Sequence, residues 1–156
     1  MPAITPFLWF DKEAEEAANF YVSIFPNSRI TVTSRYGDAG PGPKGSVMTV
    51  SFELDGKPFT ALNGGPNFQF NEAVSFMVHC KDQAEVDYYW DKLGAGGAPN
   101  VCGWLKDKYG LAWQVTPDVL MELIQDKDAA KSQRVMKAMM GMKKIDVAGL
   151  RNAAAG

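Results

Sequence analysis

One pattern occurs twice in this sequence, and the repeat limits the folds that the chain can adopt. Each half has a short apolar strand, then an amphipathic helix, and then strands in which polar and apolar residues alternate. Trp9-Phe10 aligns with Met77-Val78 at the same offset that aligns Asn19–Tyr21 with Asp87–Tyr89. Two βαβββ modules that each leave one apolar sheet face must bury it, which favours an α+β fold of two half-barrel sheets.

Module one, residues 3–66, shows the complete pattern. We predict strands at Ile4–Phe10, Arg29–Tyr36, Gly45–Leu54 and Pro58–Leu62. Asp11 is predicted to cap the intervening helix, which ends at Pro26-Asn27. Asp55-Gly56 is typical of a type I′ hairpin turn. The Gly/Pro-rich loop from Gly37 to Ser46 is not expected to bind phosphate, because its prolines remove amide donors that a phosphate loop requires. It is either a plain hairpin loop or a flap over a cavity mouth.

Module two, residues 72–117, repeats this order with one short or missing strand near Ala98–Val101. The other strands are predicted at Ala73–Cys80, Val101–Lys106 and Leu111–Thr116. Asp82 and Glu85 resemble a capping box at the start of the helix. Helices follow over residues 118–150, one of them from about Ala129 to Met142, and residues 151–156 are expected to form a disordered tail. Residues 1–150 are thus predicted to form a single domain.

Composition and charge exclude several classes of protein. Apolar residues make up 46% and charged residues 22%, which is typical of a folded domain. The net charge is −2 without a basic stripe, so neither nucleic acid nor a membrane surface is an expected partner. Cys80 and Cys102 lack CxxC spacing and are predicted to be free thiols. We expect a cytoplasmic protein.

Three sequence strings resemble those of a known bacterial family. They are Thr5–Asp11, Leu62–Pro66 and Cys102–Gln114. The chain resembles, up to about Leu150, the PhnB-like proteins of the vicinal oxygen chelate (glyoxalase, bleomycin resistance and dioxygenase) superfamily. These proteins are often labelled 3-demethylubiquinone-9 3-methyltransferase. The resemblance implies two βαβββ modules around a small-molecule cavity, and it implies a homodimer.

In metal-using relatives, four positions facing the cavity hold the ion. By this resemblance they correspond to Thr5, Asn63, Ala73 and Gln114. A hydroxyl, a methyl and two amides offer no charge to a divalent cation, so we expect neither a metal nor another cofactor. A shift of one residue would bring Glu72 or Leu62 to these positions, which still adds only one good ligand.

The cavity is predicted from polar residues at strand ends and from aromatic residues at strand spacing. Asn63 and Gln114 each precede a proline by three residues, so a pseudo-twofold axis would point both amides at one ligand. Each amide has an alternative role in satisfying the backbone at a strand end. The aromatic residues have an alternative role in the core. The predicted cavity residues are Thr5, Phe7, Trp9, Asn63, Ser75, Cys102, Trp104 and Gln114.

No catalytic residue is defined by the sequence, although three side chains are candidates. Cys102 is a potential nucleophile, or a small buried apolar side chain. His79 is a potential base or ligand, or an ordinary polar residue at a strand end, and it has no second histidine to assist it. Glu72 is the third candidate, as a metal ligand.

Three functions are therefore considered. The first is binding of a small molecule, or an enzymatic reaction of unidentified type, without a metal. The second is a metal-dependent lyase, isomerase or dioxygenase, and the third is the methyl transfer of the family label, although the chain shows no Gly-rich strand-to-helix turn. The segment Ala129–Leu150 supplies a motive for the homodimer, or alternatively packs on its own domain. Its apolar residues are Val135, Met136, Met139, Met140, Met142, Ile145 and Leu150.

Overall fold

A computed structural model describes residues 3–156 of the chain. The contacts divide the chain into two compact units, one ending at Phe70 and one beginning at Asn71. Each unit buries a helix against its own sheet. The boundary falls between the two modules that the sequence repeat predicts.

Module one consists of one helix on one face of a four-stranded mixed sheet. Its elements are β1 (Phe7–Phe10), α1 (Ala14–Ile24), β2 (Arg29–Arg35), β3 (Val47–Leu54) and β4 (Lys57–Asn63). The strand order is β1-β4-β3-β2, with β1 parallel to β4 and the other pairs antiparallel. The predicted βαβββ order is confirmed, and both residues of the predicted turn, Asp55 and Gly56, have positive φ.

Alternation along the strands gives this sheet a helix side and an open side. Leu8, Phe10 and Val50 are at most 6% exposed and lie on the helix side. On the same side, Tyr21 of α1 stacks on Phe52 of β3 with a ring centroid distance of 6.2 Å. The residues that alternate with these core residues along the strands point to the open side, where they are half-buried or exposed.

Module two repeats the architecture with a short edge strand. Its elements are β5 (Ser75–Cys80), α2 (Gln83–Gly94), β6 (Ala98–Pro99), β7 (Trp104–Lys106) and β8 (Ala112–Pro117). The order is β5-β8-β7-β6, again with one parallel pair, β5 and β8. The Asp82 cap is confirmed, because Asp82 accepts from the Glu85 amide at 3.0 Å, and Glu85 accepts from the amide of Lys81, the residue before the cap, at 2.8 Å.

Three C-terminal helices follow module two and share a small core of their own. They are α3 (Asp118–Ile124), α4 (Ala129–Met140) and α5 (Val147–Ala155). The core consists of Leu120, Val135, Ile145 and Leu150, with Met139 and Met142 packed against it. The prediction of a disordered tail at 151–156 is wrong, because α5 continues to Ala155 and Arg134 of α4 donates to the Ala153 and Ala154 carbonyls.

Within residues 3–156, none of the helices has the length and apolar character needed to cross a membrane.

Candidate functional site

The open side of the second sheet is built from two rows of side chains in register. Trp104 of β7 pairs with Gln114 of β8, which pairs with Met77 of β5. All three side chains are half-buried. Paired residues share a face, so these three side chains stand side by side across the sheet. The neighbouring row runs from Lys106 through Ala112 to Ser75.

Polar groups of these rows keep unused hydrogen-bonding capacity. Gln114 Nε2 donates to Ser75 Oγ at 3.0 Å, which leaves the Ser75 hydroxyl proton free to donate. Among residues 3–156, neither Gln114 Oε1 nor the Trp104 indole N–H has a hydrogen-bond partner. A ligand on this face would meet one amide, one hydroxyl and one indole donor beside an aromatic ring and a thioether.

The opposite side of the same sheet is core. Trp113 pairs with Leu105 and Phe76, is 3% exposed, and donates from Nε1 to Asp107 Oδ2 at 2.9 Å. The other oxygen of Asp107 accepts from the amides of Tyr109 and Leu111 at 2.8 and 3.1 Å. This carboxylate is 3% exposed and holds the β7–β8 turn, so it has a structural role.

Module one presents a different open side, lined by hydroxyl groups. The first row runs from Trp9 through Leu62 to Thr49, whose hydroxyl lies 2.5 Å from that of Ser34. The second row runs from Phe7 through Thr60 and Ser51 to Val32. Trp9 donates from Nε1 to the Gly65 carbonyl at 2.9 Å, which fixes its ring at the edge of the sheet.

The prediction that Asn63 and Gln114 occupy matching places is wrong by one residue. Leu62 pairs with Trp9 as Gln114 pairs with Met77, so Leu62 is the counterpart of Gln114. Asn63 instead pairs with the core residue Phe10 and points to the helix side. Sequence inspection placed the strand end correctly, but a shift of one position inverts the face of a side chain.

The side chain of Asn63 has a structural role at the start of α1. Its Oδ1 accepts from the Ala14 amide at 2.8 Å, and its Nδ2 donates to the Val47 carbonyl at 3.1 Å. Asn63 therefore caps the helix from β4, and the prediction that Asp11 is the cap is wrong. The residue before Ala14, Glu13, makes no side-chain cap hydrogen bond of its own.

Cys102 lies in the turn before β7, beyond the rows of the open side. Cys102 and Gly103 both have positive φ, at 59° and 82°. Their amides donate to the carbonyls of Met142 and Lys143, each at 2.8 Å. The half-buried thiol therefore belongs to a turn that is held by the loop between α4 and α5.

Cys80 is the second free cysteine, as the sequence predicts. It is completely buried on the helix side of β5. Burial, followed by the negative charges of Glu85 and Asp118, raises the pKa of the Cys80 thiol to about 12. The thiol is therefore neutral and unreactive at physiological pH.

The other candidate residues are dispersed. His79 is exposed at the end of β5, where its Nδ1 lies 3.9 Å from Asp118 Oδ1. Glu72 forms an ion pair with Lys106. Thr5 is exposed before β1, and Ala73 is exposed before β5.

The four residues aligned with metal-binding positions do not fit a metal ion. Both polar atoms of the Asn63 amide are hydrogen-bonded to the backbone, Ala73 has no donor atom, and Gln114 offers only a neutral amide oxygen. Nowhere in residues 3–156 do three or more His, Cys, Asp or Glu residues cluster as potential ligands. Metal chemistry therefore has no donor set among these residues.

A cavity of about 460 Å³ in module one was missed by the sequence analysis. It lies between the Gly/Pro-rich loop and the ends of β1 and β4. The Tyr36 ring, which donates from its hydroxyl to the Asn63 carbonyl at 2.5 Å, forms part of its wall. The polar lining includes Asp11, Lys12, Glu15 and Ser46. The only signal in the sequence was the possible flap over a cavity mouth.

Solved structures of known proteins share this fold. The chain is 40% identical to the PhnB protein from Bacillus cereus, over 74% of this chain and 99% of that one, with a TM-score of 0.68. A Pseudomonas aeruginosa protein is 20% identical, over 75% and 98% of the two chains, with a TM-score of 0.62. The fosfomycin resistance protein FosX from Listeria monocytogenes is 16% identical, over 80% and 98%, with a TM-score of 0.59.

Two mixed sheets from repeated βαβββ modules define a protein of the vicinal oxygen chelate superfamily. A family model described as 3-demethylubiquinone-9 3-methyltransferase matches residues 2–116. The chain therefore belongs to this PhnB-like family. A comparison with curated proteins gave no match.

Proposed function

We propose that the chain binds a small molecule on the open side of the second sheet, and that neither binding nor any accompanying reaction uses a metal. The observation that carries the proposal is the row formed by Trp104, Gln114 and Met77. A typical ligand site combines apolar and aromatic walls with a few fixed polar groups. This row has both, and its indole N–H and amide oxygen are unpaired among residues 3–156.

Titration with a panel of neutral aromatic fragments, followed by NMR of the tryptophan indole N–H signals, tests the proposal. Trp104 should shift and Trp113 should not, because Trp113 is 3% exposed and bonded to Asp107. Trp104→Phe identifies the signal of residue 104.

Matched alanine variants provide the control. Trp113→Ala should lower the free energy of unfolding by about 3 to 5 kcal/mol, as expected for a core aromatic residue. Trp104→Ala should cost clearly less in urea unfolding and should abolish fragment binding. Equal losses in the two variants, or a panel that leaves Trp104 unmoved, would contradict the proposal.

Methyl transfer is a second candidate because the family description names it. Each sheet here has a single parallel pair, and a doubly wound parallel sheet with a switch point is the usual nucleotide-binding arrangement. Calorimetric titration with S-adenosylmethionine tests this candidate. Saturable binding would favour methyl transfer, and its absence up to millimolar concentration would remove it.

We also propose that the protein is a cytoplasmic homodimer. Two free cysteines are consistent with a reducing compartment. The apolar residues of 129–150, which suggested a dimer surface, are mostly covered by α3 and α5. Support for a dimer now comes from module one, where Phe7 and Val32 end one row of the open side at 60% and 62% exposure.

A further inference from the structure

The open side of the second sheet carries one fixed positive charge, on Lys106. The residues of β5, β7 and β8 that point to that side are Ser75, Met77, His79, Trp104, Lys106, Ala112, Gln114 and Thr116, and Ala98 of β6 pairs with Lys106 on the same side. No carboxylate is among them. An anion therefore finds an attractive group on this side and no fixed repulsion from the strands themselves.

The ammonium group of Lys106 is paired with a side chain from outside the sheet. Glu72, three residues before β5, forms an ion pair with Lys106 of β7. Lys106 aligns with Ala112 of β8 and then with Ser75 of β5, so the pair crosses β8. Ala112 is completely buried under its neighbours, and its methyl group competes with neither partner.

This ion pair is exposed and easily exchanged. The side chains of Lys106 and Glu72 are 40% and 48% exposed. Exposed ion pairs contribute little to stability, so a ligand oxyanion that replaces Glu72 loses little. Glu72 also lies outside any helix or strand, in the turn that precedes β5.

We infer that the ligand of this face is a small organic anion with a flat apolar body. Its oxyanion displaces Glu72 from Lys106 and accepts from the free Ser75 hydroxyl proton, while its body lies on Trp104 and Met77. The row of Lys106 and Ser75 adjoins the row of Trp104 and Met77, as such a molecule requires. This inference rests on the proposed function and adds the charge of the ligand.

Three probes separate the charge of the ligand from its apolar body. Phenylacetate has both, phenylacetamide has the ring without the charge, and acetate has the charge without the ring. Tryptophan indole signals are followed by NMR at low ionic strength. Phenylacetate should bind about fivefold or more tightly than phenylacetamide, which corresponds to one charge-assisted hydrogen bond. Acetate alone should leave Trp104 unmoved.

Charge variants assign this preference to the ion pair. Lys106→Met should bring the affinity ratio of phenylacetate to phenylacetamide to about one, and Lys106→Gln serves as a second, polar variant. Glu72→Gln should increase the ratio, because the competing carboxylate is gone. Lys44→Met is the matched control, since Lys44 pairs with Asp38 at 3.0 Å in the loop of module one. This control should leave the ratio unchanged.

Three results of these titrations would overturn the inference. Equal affinities in the unaltered chain, with Trp104 shifting for both ring probes, overturn the inference and leave the proposed function standing. A preference that survives in both Lys106 variants also overturns it. A Trp104 signal that moves with protein concentration alone identifies a second copy of the chain as the occupant of this face, which overturns both proposals.

Discussion

Asn63 shows how one amide can connect three parts of a module. It accepts from the Ala14 amide at the start of α1 and donates to the Val47 carbonyl at the start of β3, and it lies at the end of β4. Asn63→Ala removes both bonds and should lower the free energy of unfolding by about 1 to 3 kcal/mol. Urea titration measures this loss.

Two further variants make the Asn63 prediction specific. Asn63→Asp keeps the oxygen that accepts from Ala14 and loses the donor to Val47, so it should recover part of the lost stability. Asn67→Ala, at an exposed position, is the control and should be neutral. Full stability of Asn63→Ala together with weaker fragment binding would restore Asn63 to the ligand site.

Cys80 predicts a stability change in the alkaline range. The pKa of its thiol is raised to about 12 by burial, whereas an unfolded cysteine titrates near 8.5. The contribution of the buried neutral thiol to the free energy of unfolding is complete below the unfolded pKa and is lost as the pH rises toward the folded pKa. Above about pH 9, the stability difference between the unaltered chain and Cys80→Ala should therefore shrink, by up to about 1.4 kcal/mol per pH unit.

Urea titrations of both proteins between pH 7 and pH 10.5 test this pH dependence. Using the difference between the two proteins cancels the titration of lysines and tyrosines. The difference should be constant between pH 7 and pH 8, which is the internal control. A constant difference up to pH 10.5 would mean that the Cys80 thiol is accessible to water.

At the scale of elements, the loop between α4 and α5 holds module two at two places. Its Met142 and Lys143 carbonyls accept the amides of the turn before β7. Gln83 of α2 donates to the Ile145 carbonyl at 3.0 Å and accepts from the Val147 amide at 2.7 Å. The C-terminal helices are thereby fixed to both α2 and the β6–β7 turn.

Gln83→Ala should loosen this attachment while the sheet remains folded. The amides of Cys102 and Gly103 should exchange with deuterium about tenfold faster, because the loop that accepts them has lost both bonds to Gln83. Hydrogen exchange measured by NMR provides the test. Lys144→Met is the control, because the Lys144 side chain pairs with Asp87 at 2.9 Å and makes no bond to Gln83.

In the unaltered chain, the pKa of the Asp87 carboxyl is lowered, first by the hydrogen bond from Gln83 and then by the hydrogen bond from Lys144. The side chains of Asp87 and Lys144 are both accessible at the surface, so the loss of their ion pair should change the exchange rates little. Equal acceleration in the two variants would show that the charge, and not the backbone bonds, fixes the loop.

Periodicity predicted the elements well and the faces less well. The order of strands and helices follows from alternation and caps such as Asp82, which the structure confirms. The face of Asn63 depends on one position of register at a strand end, where alternation gives no signal. The cap of α1 comes from β4, and the pairing of Glu72 with Lys106 crosses a strand, so neither is a local property of the sequence.

For the whole molecule, the family model ends at Thr116, so α3, α4 and α5 lie outside the matched residues. These helices bury their own apolar residues against one another. Val135, Ile145 and Leu150 are fully buried in the core that they share. An extension that covers its own apolar residues needs no partner chain for its stability.

The predicted homodimer therefore requires a different surface, and module one offers it. Sedimentation equilibrium at micromolar concentration should give twice the monomer mass of 17.1 kDa. If the row from Phe7 to Val32 is covered by the partner, Val32→Lys should shift the equilibrium toward monomer, because a buried ammonium without a counter-charge is costly. Met140→Lys, at a residue 65% exposed on α4, should leave the dimer intact. A single species at the monomer mass would refute the dimer, and dissociation by Met140→Lys alone would return the interface to the C-terminal helices.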